Sequence, residues 1–206
     1  MQLSLRLAAI SKMVHGGNRL VDVGCDHGYL PVYLVLNKKI PSAIAMDVRK
    51  GPLLRAKEHV QQYGVSDYIE LRLSDGLSAL KAGEGDTLVI AGMGGPLMER
   101  ILTEGKQVLD SFQELILEDG KFYPMMRVTR SIEGCVPWTK EEEAFGKFLL
   151  EARHPVLKLY LQRELGIRKK ILEKLVDAGE GARERKAEVE EEKQLLMAAL
   201  TRYESK

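Results

Sequence analysis

The sequence predicts an open α/β fold with a mostly parallel sheet, followed by a C-terminal two-helix coiled-coil hairpin. Three observations predict it. Five short apolar runs alternate with helical patterns before residue 118, as in a parallel sheet covered on both faces. Each of the first four runs ends in a polar or glycine-rich turn, at the carboxyl ends where such sheets bind ligands. From residue 156 onward, apolar residues recur three and four apart over two helix-length stretches, which suits the narrow seam of a helical hairpin. The 206 residues, 45% of them apolar, suffice for one core plus a small appendage. The expected division is 1–150 for the sheet domain and 151–206 for the hairpin.

The elements follow in chain order. Leu3, Leu5, Leu7, Ile10 and Val14 fall at helical spacing over 3–15, and Gly16-Gly17 ends that helix. Arg19–Val23 reads as a buried strand. Tyr29–Leu36 reads as a helix that tolerates Pro31 in its first turn. Ser42–Met46 is a strand closed by Asp47, and Lys50–Tyr63 is an amphipathic helix. Tyr68–Leu73 is a strand leading into Asp75. Thr87–Ile90 is a strand opening into Ala91-Gly-Met-Gly-Gly95, with a helix over Pro96–Glu104. Phe112–Leu117 is a fifth strand, Lys121–Val128 is strand-like, and Arg130–Lys140 is a loop. Helix resumes at Glu141 and again at His154-Pro155. In the hairpin, Leu161, Leu165, Leu172 and Leu175 face Val189, Leu196, Leu200 and Tyr203, with Asp177-Ala-Gly-Glu-Gly181 as the connection.

Composition narrows the function. A net charge of +1 means that any nucleic-acid contact is a local patch rather than a property of the whole surface. The two cysteines, Cys25 and Cys135, are far apart, which disfavours a disulfide framework or a metal site and suits a reducing cytoplasm. No apolar run nears the about 18 residues that span a bilayer, and the first residues do not read as a signal peptide. The expectation is a cytoplasmic protein, a monomer or weak dimer, without metal or membrane partner.

The strand ends carry the chemistry. Val21-Asp-Val-Gly-Cys-Asp-His-Gly28 follows the first strand. Gly24 and Gly28 allow a tight turn and close ligand approach. A pyrophosphate fingerprint needs G-x-G-x-x-G; here Asp22 and Asp26 flank the glycines instead. Carboxylates repel phosphate, which disfavours a nicotinamide-linked oxidoreductase. They suit a cationic ligand bearing an amino group and hydroxyls, and S-adenosylmethionine is such a ligand. Asp47, with Val48 behind it, lies about twenty residues on, where an acid accepts ribose hydroxyls; capping of the next helix is the competing role. Ser74, Asp75 and Gly76 suit an adenine amino group or a plain turn. Ala91, Gly92, Met93 and Gly94 imply close backbone approach by a ligand or by packing.

This text resembles the bacterial tRNA (adenine-22-N1)-methyltransferases, the TrmK family. The matching residues are Leu3-Ser-Leu-Arg-Leu7, Asp22-Val-Gly-Cys-Asp-His-Gly-Tyr-Leu-Pro31, Ala45-Met-Asp47, Ser74-Asp-Gly76, Ala91-Gly-Met-Gly-Gly95, Glu118-Asp-Gly-Lys121, Phe145-Gly-Lys-Phe-Leu-Leu150, Pro155 and Tyr160-Leu161. The resemblance implies a Rossmann-like class I methyltransferase domain with S-adenosyl-L-methionine as cofactor, tRNA as partner, and an adenine N1 as the methylated atom. Cys25 and Gly28 stand where the family has Ser and Ala. The larger departure lies between Leu117 and Glu118. Related sequences carry a Gln-Pro-Asn-like turn there, then a helix and a sixth strand, so about 20–25 residues are absent, the length of a crossover unit.

The candidate cofactor-binding residues are therefore Asp22, Gly24, Cys25, Asp26, Gly28, Asp47, Val48, Ser74, Asp75, Gly76, Ala91, Gly92, Met93 and Gly94. Asp26, His27 and Tyr29 are the candidate catalytic residues. Asp26 would stabilise positive charge on the methylated ring or hold its amino group, His27 would orient the base or Asp26, and Tyr29 would stack on the base. Local packing at a helix start competes for His27 and Tyr29. Arg6, Lys12, Arg163, Arg168, Lys169, Lys170, Arg183 and Arg185 are the candidate nucleic-acid contacts, although a solvated helical face paired to its own glutamates is the competing role for those on the hairpin. A non-catalytic scaffold using the same crevice is the alternative functional class.

Overall fold

Six strands make one sheet in the computed structural model, which describes residues 1–119, 124–130, 136–175 and 183–204. They are β1 (Leu20–Val23), β2 (Ala43–Asp47), β3 (Ile69–Leu73), β4 (Thr87–Met93), β5 (Glu114–Asp119) and β6 (Met125–Thr129). The order is β3-β2-β1-β4-β5-β6. The first five run parallel, and β6 returns antiparallel to β5. The order reverses between β1 and β4, and that switch point opens a crevice at the carboxyl ends of the strands.

Helices α1 (Leu5–Met13), α2 (Tyr29–Leu36) and α3 (Lys50–Gln62) cover one face of the sheet, and α4 (Gly95–Glu104) and α5 (Lys106–Leu109) the other. The side-chain alternation of the central strands explains the division. Leu20, Ala43, Ala45, Val89 and Ile116 pack with Ile10, Leu30, Ala56 and Val60 on the first face. Val21, Val23, Ile44, Met46, Leu88 and Ile90 pack with Met98 and Ile101 on the second. Local signals set the helix starts. The Ser4 hydroxyl accepts the Leu7 N–H at 3.3 Å and begins α1, and Gly28 enters α2 in the left-handed conformation at φ 69°.

The end of the sheet differs from the expectation. β5 runs through Glu118 to Asp119, two residues past the expected Leu117, because the buried Glu118 carboxylate accepts hydrogen bonds from two neighbours. The N–H of Gly92 donates to Oε2 at 2.7 Å and Arg6 Nη1 at 2.9 Å. The expected strand over Lys121–Val128 is β6 over Met125–Thr129; residues 121–123 lie outside the described ones. β5 and β6 thus form a direct hairpin. Glu114 ties this hairpin to the rest: its buried carboxylate accepts from the His15 N–H (3.0 Å), the Thr87 hydroxyl (2.8 Å) and the Arg127 guanidinium.

The chain divides into compact units at residues 1–132 and 133–206. The second contains α6 (Lys140–Phe145), α7 (Lys147–Glu151), α8 (Pro155–Lys174) and α9 (Arg183–Thr201). A capping box between Thr139 and Glu142 starts α6. Leu150, Leu157, Leu161, Leu196 and Ala199 form the core, with Phe145, Leu165, Leu200 and Tyr203 against it. This places 133–150 with the hairpin rather than with the sheet, since Phe145 and Leu150 bury their side chains on α8 and α9. The pairs Arg168–Glu192 and Tyr203–His154 run in opposite sequence directions, so α8 and α9 are antiparallel. The connection expected at Asp177–Gly181 lies outside the described residues.

Candidate active site

The crevice has a volume of about 800 Å³, within the range of small-ligand sites. Its first wall is the turn after β1. The N–H groups of Gly24 and Cys25 both donate to the Met46 carbonyl, at 2.8 and 2.9 Å, which binds the turn to β2. Gly24 has φ 74°, and a Cβ there would meet the Met93 methyl group at 2.3 Å, so Met93 lies directly over it. Asp26 follows with φ 49° and an exposed carboxylate.

The next walls close the following strands. Asp47 is buried, and its Oδ1 accepts the Arg49 N–H at 2.9 Å. Its backbone carbonyl accepts the Ser74 N–H at 3.0 Å. The Ser74 hydroxyl is committed to the turn: it donates to the Gly76 carbonyl at 2.9 Å and accepts the Ala79 N–H at 3.1 Å. Asp75 is half exposed and pairs with Arg100 at 3.0 Å. At the end of β4, the register with β5 shifts between Ala91 and Met93. Gly92 sits in the shift at φ 77°, and a Cβ there would meet Arg6 Nη1 at 2.8 Å.

The electrostatics are acidic at the β1 turn. Asp22 points to the first face of β1, in register with Ala45 and Val89. Burial, reinforced by the charge of Asp47, pushes its pKa up to about 7. Burial first, then Asp22, Asp47 and Asp26, raises the Cys25 thiol well above its ordinary range, so this cysteine is a packing residue rather than a nucleophile at neutral pH. Among the described residues, no group of three or more His, Cys, Asp or Glu is placed to hold a metal ion.

The structure sorts the sequence candidates. Gly24, Asp26, Asp47, Val48, Ser74, Asp75, Gly76, Ala91, Gly92 and Met93 line the crevice. Four others do not. Asp22 and Cys25 lie beneath it in the interior, Gly28 packs its backbone against Ala56, and Gly94 caps α4. His27 and Tyr29 also stand outside the lining, in a cluster of three rings completed by His59 of α3. Arg49, Leu97, Arg100 and Ile101 line the crevice and carried no signal in the sequence. The Arg100–Asp75 pair joins residues 25 apart, which no local pattern reveals. A second, shallower hollow of about 590 Å³ lies near the amino ends of β2 and β3, around Ser42 and Asp67, at the opposite end of the strands from the glycine turns that close them.

The nucleic-acid candidates divide similarly. Arg6 lines the crevice and is bound to Glu118. Arg168 is partly buried between Glu164 (2.8 Å) and Glu192, and Arg185 pairs with Glu188 at 2.7 Å. These two arginines serve the hairpin's own ion pairs, because glutamates lie one helical turn away or directly across the seam. Lys12, Arg163, Lys169, Lys170 and Arg183 are exposed.

Residues 3–133 match the family described as "Methyltransferase domain". The chain belongs to the methyltransferase-domain family. Within it, this chain is 43% identical over 118 residues to the tRNA (adenine(22)-N(1))-methyltransferase of Bacillus subtilis, a match covering 57% of this chain and 50% of that protein. In sequence, the chain thus spans about half the length of that relative. In fold the likeness is longer. The crystal structure of the B. subtilis m1A22 tRNA methyltransferase TrmK has a TM-score of 0.85 at 29% identity, covering 97% of this chain and 99% of that one. A Streptococcus pneumoniae protein assigned as a tRNA (m1A22) methyltransferase and solved with S-adenosyl-L-methionine has a TM-score of 0.79 at 31% identity, covering 97% and 100%. The resemblance read from the motifs is thus carried by both sequence and fold. No described helix of this chain is long and apolar enough to cross a membrane.

Proposed function

We propose that this chain transfers the methyl group of S-adenosyl-L-methionine to N1 of adenine 22 in tRNA, in the cytoplasm. One observation carries the reading. The carboxylates and glycines of four successive strand ends meet in one crevice, in a chain that follows, over nearly its whole length, a relative solved with that cofactor. The residues fit the group. Asp47 is a buried carboxylate with one oxygen held by the Arg49 N–H and the other left to accept ribose hydroxyls. Gly24 and Gly92, at φ 74° and 77°, let the backbone turn under Met93 and Arg6, where a Cβ would meet those side chains. The acids of the β1 turn favour a sulfonium and an ammonium group. Asp75 and the Gly76 backbone, in the crevice lining at the end of β3, would take the adenine ring.

When bound, S-adenosyl-L-methionine supplies an electrophilic methyl group. Adenine N1 keeps its lone pair at neutral pH, so the protein needs no strong base. Its work is orientation and stabilisation of positive charge on the methylated ring. Asp26, exposed at the crevice edge, supplies that negative charge, and His27, with Nε2 3.4 Å from Asp26 Oδ1, orients it. A base inside folded RNA has to be extruded, at a cost of a few kcal/mol, and phosphate contacts offset that cost. Lys12, Lys169 and Lys170 are the cations assigned to this task.

The test is calorimetric titration of S-adenosyl-L-methionine into the 206-residue protein, followed by methyl transfer to unmodified tRNA and to the same tRNA with guanine at position 22. Binding, with methylation of the first tRNA alone, is the expected result. The direct β5–β6 hairpin favours a second reading, a cofactor-binding protein without turnover, because it removes the crossover that in related sequences follows β5. Binding with no methylation of either tRNA would establish that reading.

A further inference from the structure

The rings of His27, Tyr29 and His59 form a cluster with a definite order. Tyr29 and His59 have centroids 4.8 Å apart, His27 and Tyr29 5.4 Å, and His27 and His59 6.0 Å. All three interplanar angles are 40° or less, so the rings lean face to face rather than edge to face. Two come from the turn that begins α2; the third reaches across from α3.

His59 also holds the backbone of that turn. Its Nδ1 is 2.8 Å from the His27 carbonyl oxygen. A carbonyl only accepts, so Nδ1 carries the proton and donates it. Residues 26–28 need such a hold. Asp26 is a non-glycine residue at φ 49°, a conformation that persists only where its surroundings enforce it. His59 is thus the one ring of the three anchored outside the turn, and it fixes the turn by both a hydrogen bond and a ring face. The cluster is partly open to solvent and stands beside Asp26 at the crevice edge. A hydrophobic core would account for buried rings, but these are partly exposed.

We propose that His59 is a positioning residue for the target base. Resting on the function proposed above, it pre-organises His27 and Tyr29 as a stacking platform for the purine extruded from RNA. Aromatic faces bind unstacked bases with little regard to sequence, and a platform assembled in advance spends no ordering entropy at the moment of binding.

The test uses the full chain with wild type, His59→Ala and His59→Asn. Three quantities are read: the Kd for S-adenosyl-L-methionine, kcat and KM for unmodified tRNA, and fluorescence of tRNA carrying 2-aminopurine at position 22, at saturating protein. In wild type, the 2-aminopurine is quenched by stacking. In His59→Ala, the quenching weakens and kcat/KM falls about tenfold, the scale of one base–ring contact, while cofactor Kd changes less than about twofold. His59→Asn, whose amide still donates to the His27 carbonyl, recovers part of both losses. Unchanged quenching and kcat/KM in His59→Ala would overturn the inference, as would an equal loss of cofactor affinity, which would indicate a purely structural role. Absence of quenching in wild type would also overturn it. Quenching without turnover would instead reject the proposed methyl transfer and leave the platform standing.

Discussion

Asp22 couples ionisation to folding most directly. Its carboxyl is 5% exposed on the central strand, and burial, then the charge of Asp47, moves its pKa from 3.8 to about 7. The folded chain therefore binds this proton more tightly than the unfolded chain. Below pH 3.8 both states hold the proton, and Asp22 does not alter the balance. Between 3.8 and about 7 only the folded state holds it, so stability falls as pH rises; above about 7 the loss is complete. At 1.36 kcal/mol per pH unit, the interval amounts to about 4 kcal/mol. The perturbation is Asp22→Asn, which keeps the shape and removes the titration. The assay is urea unfolding followed by far-ultraviolet circular dichroism at pH 5, 6, 7 and 8, with both proteins compared at each pH so that all other titrating groups cancel. The stability of Asp22→Asn relative to wild type should rise by about 3 kcal/mol between pH 5 and 8, most of it below pH 7. A difference that does not change with pH would refute the reasoning.

Glu118→Ala removes the carboxylate that accepts from Arg6 and from the Gly92 N–H and should lower urea stability by about 2–4 kcal/mol; Glu118→Gln, which keeps an acceptor, should lose less in the same assay. Asp47→Ala should raise the calorimetric Kd for S-adenosyl-L-methionine by at least about tenfold, with tRNA affinity in a gel-shift assay unaltered. Arg168→Ala should lower the thermal midpoint of the second unit while leaving the salt dependence of tRNA binding unchanged. Lys169→Ala with Lys170→Ala should instead reduce the slope of log Kd against log salt by about 1–2.

The strand ends were legible because each announces itself locally. Gly24, Asp47, Gly76 and Gly92 close apolar runs, and a carboxylate or a left-handed glycine at a strand end has few purposes. The roles of their neighbours were less legible. Ser74 reads as a ligand contact, yet its hydroxyl is consumed by the Gly76 carbonyl and the Ala79 N–H. Arg6 reads as an RNA contact, yet it lines the crevice over Gly92 because Glu118, 112 residues away, binds it there. Arg168 reads as a phosphate contact, yet Glu192 lies opposite it on α9. His59 gives no sign at all, since only the packing of α3 against α2 brings its ring to Tyr29.

By itself, the sequence determined the alternating elements, the parallel sheet, the acidic and glycine-rich strand ends and the helical hairpin. All of these are written in periodicities of two and 3.6 residues and in turn chemistry that acts over a few positions. Only the tertiary structure decided that β5 continues through Glu118 and doubles back into β6, that residues 133–150 belong with the hairpin, and which charged side chains are already taken. Those outcomes depend on which distant groups meet. A buried carboxylate such as Glu114 or Glu118 is tolerated only where donors from other elements reach it, and that meeting is a property of the folded chain.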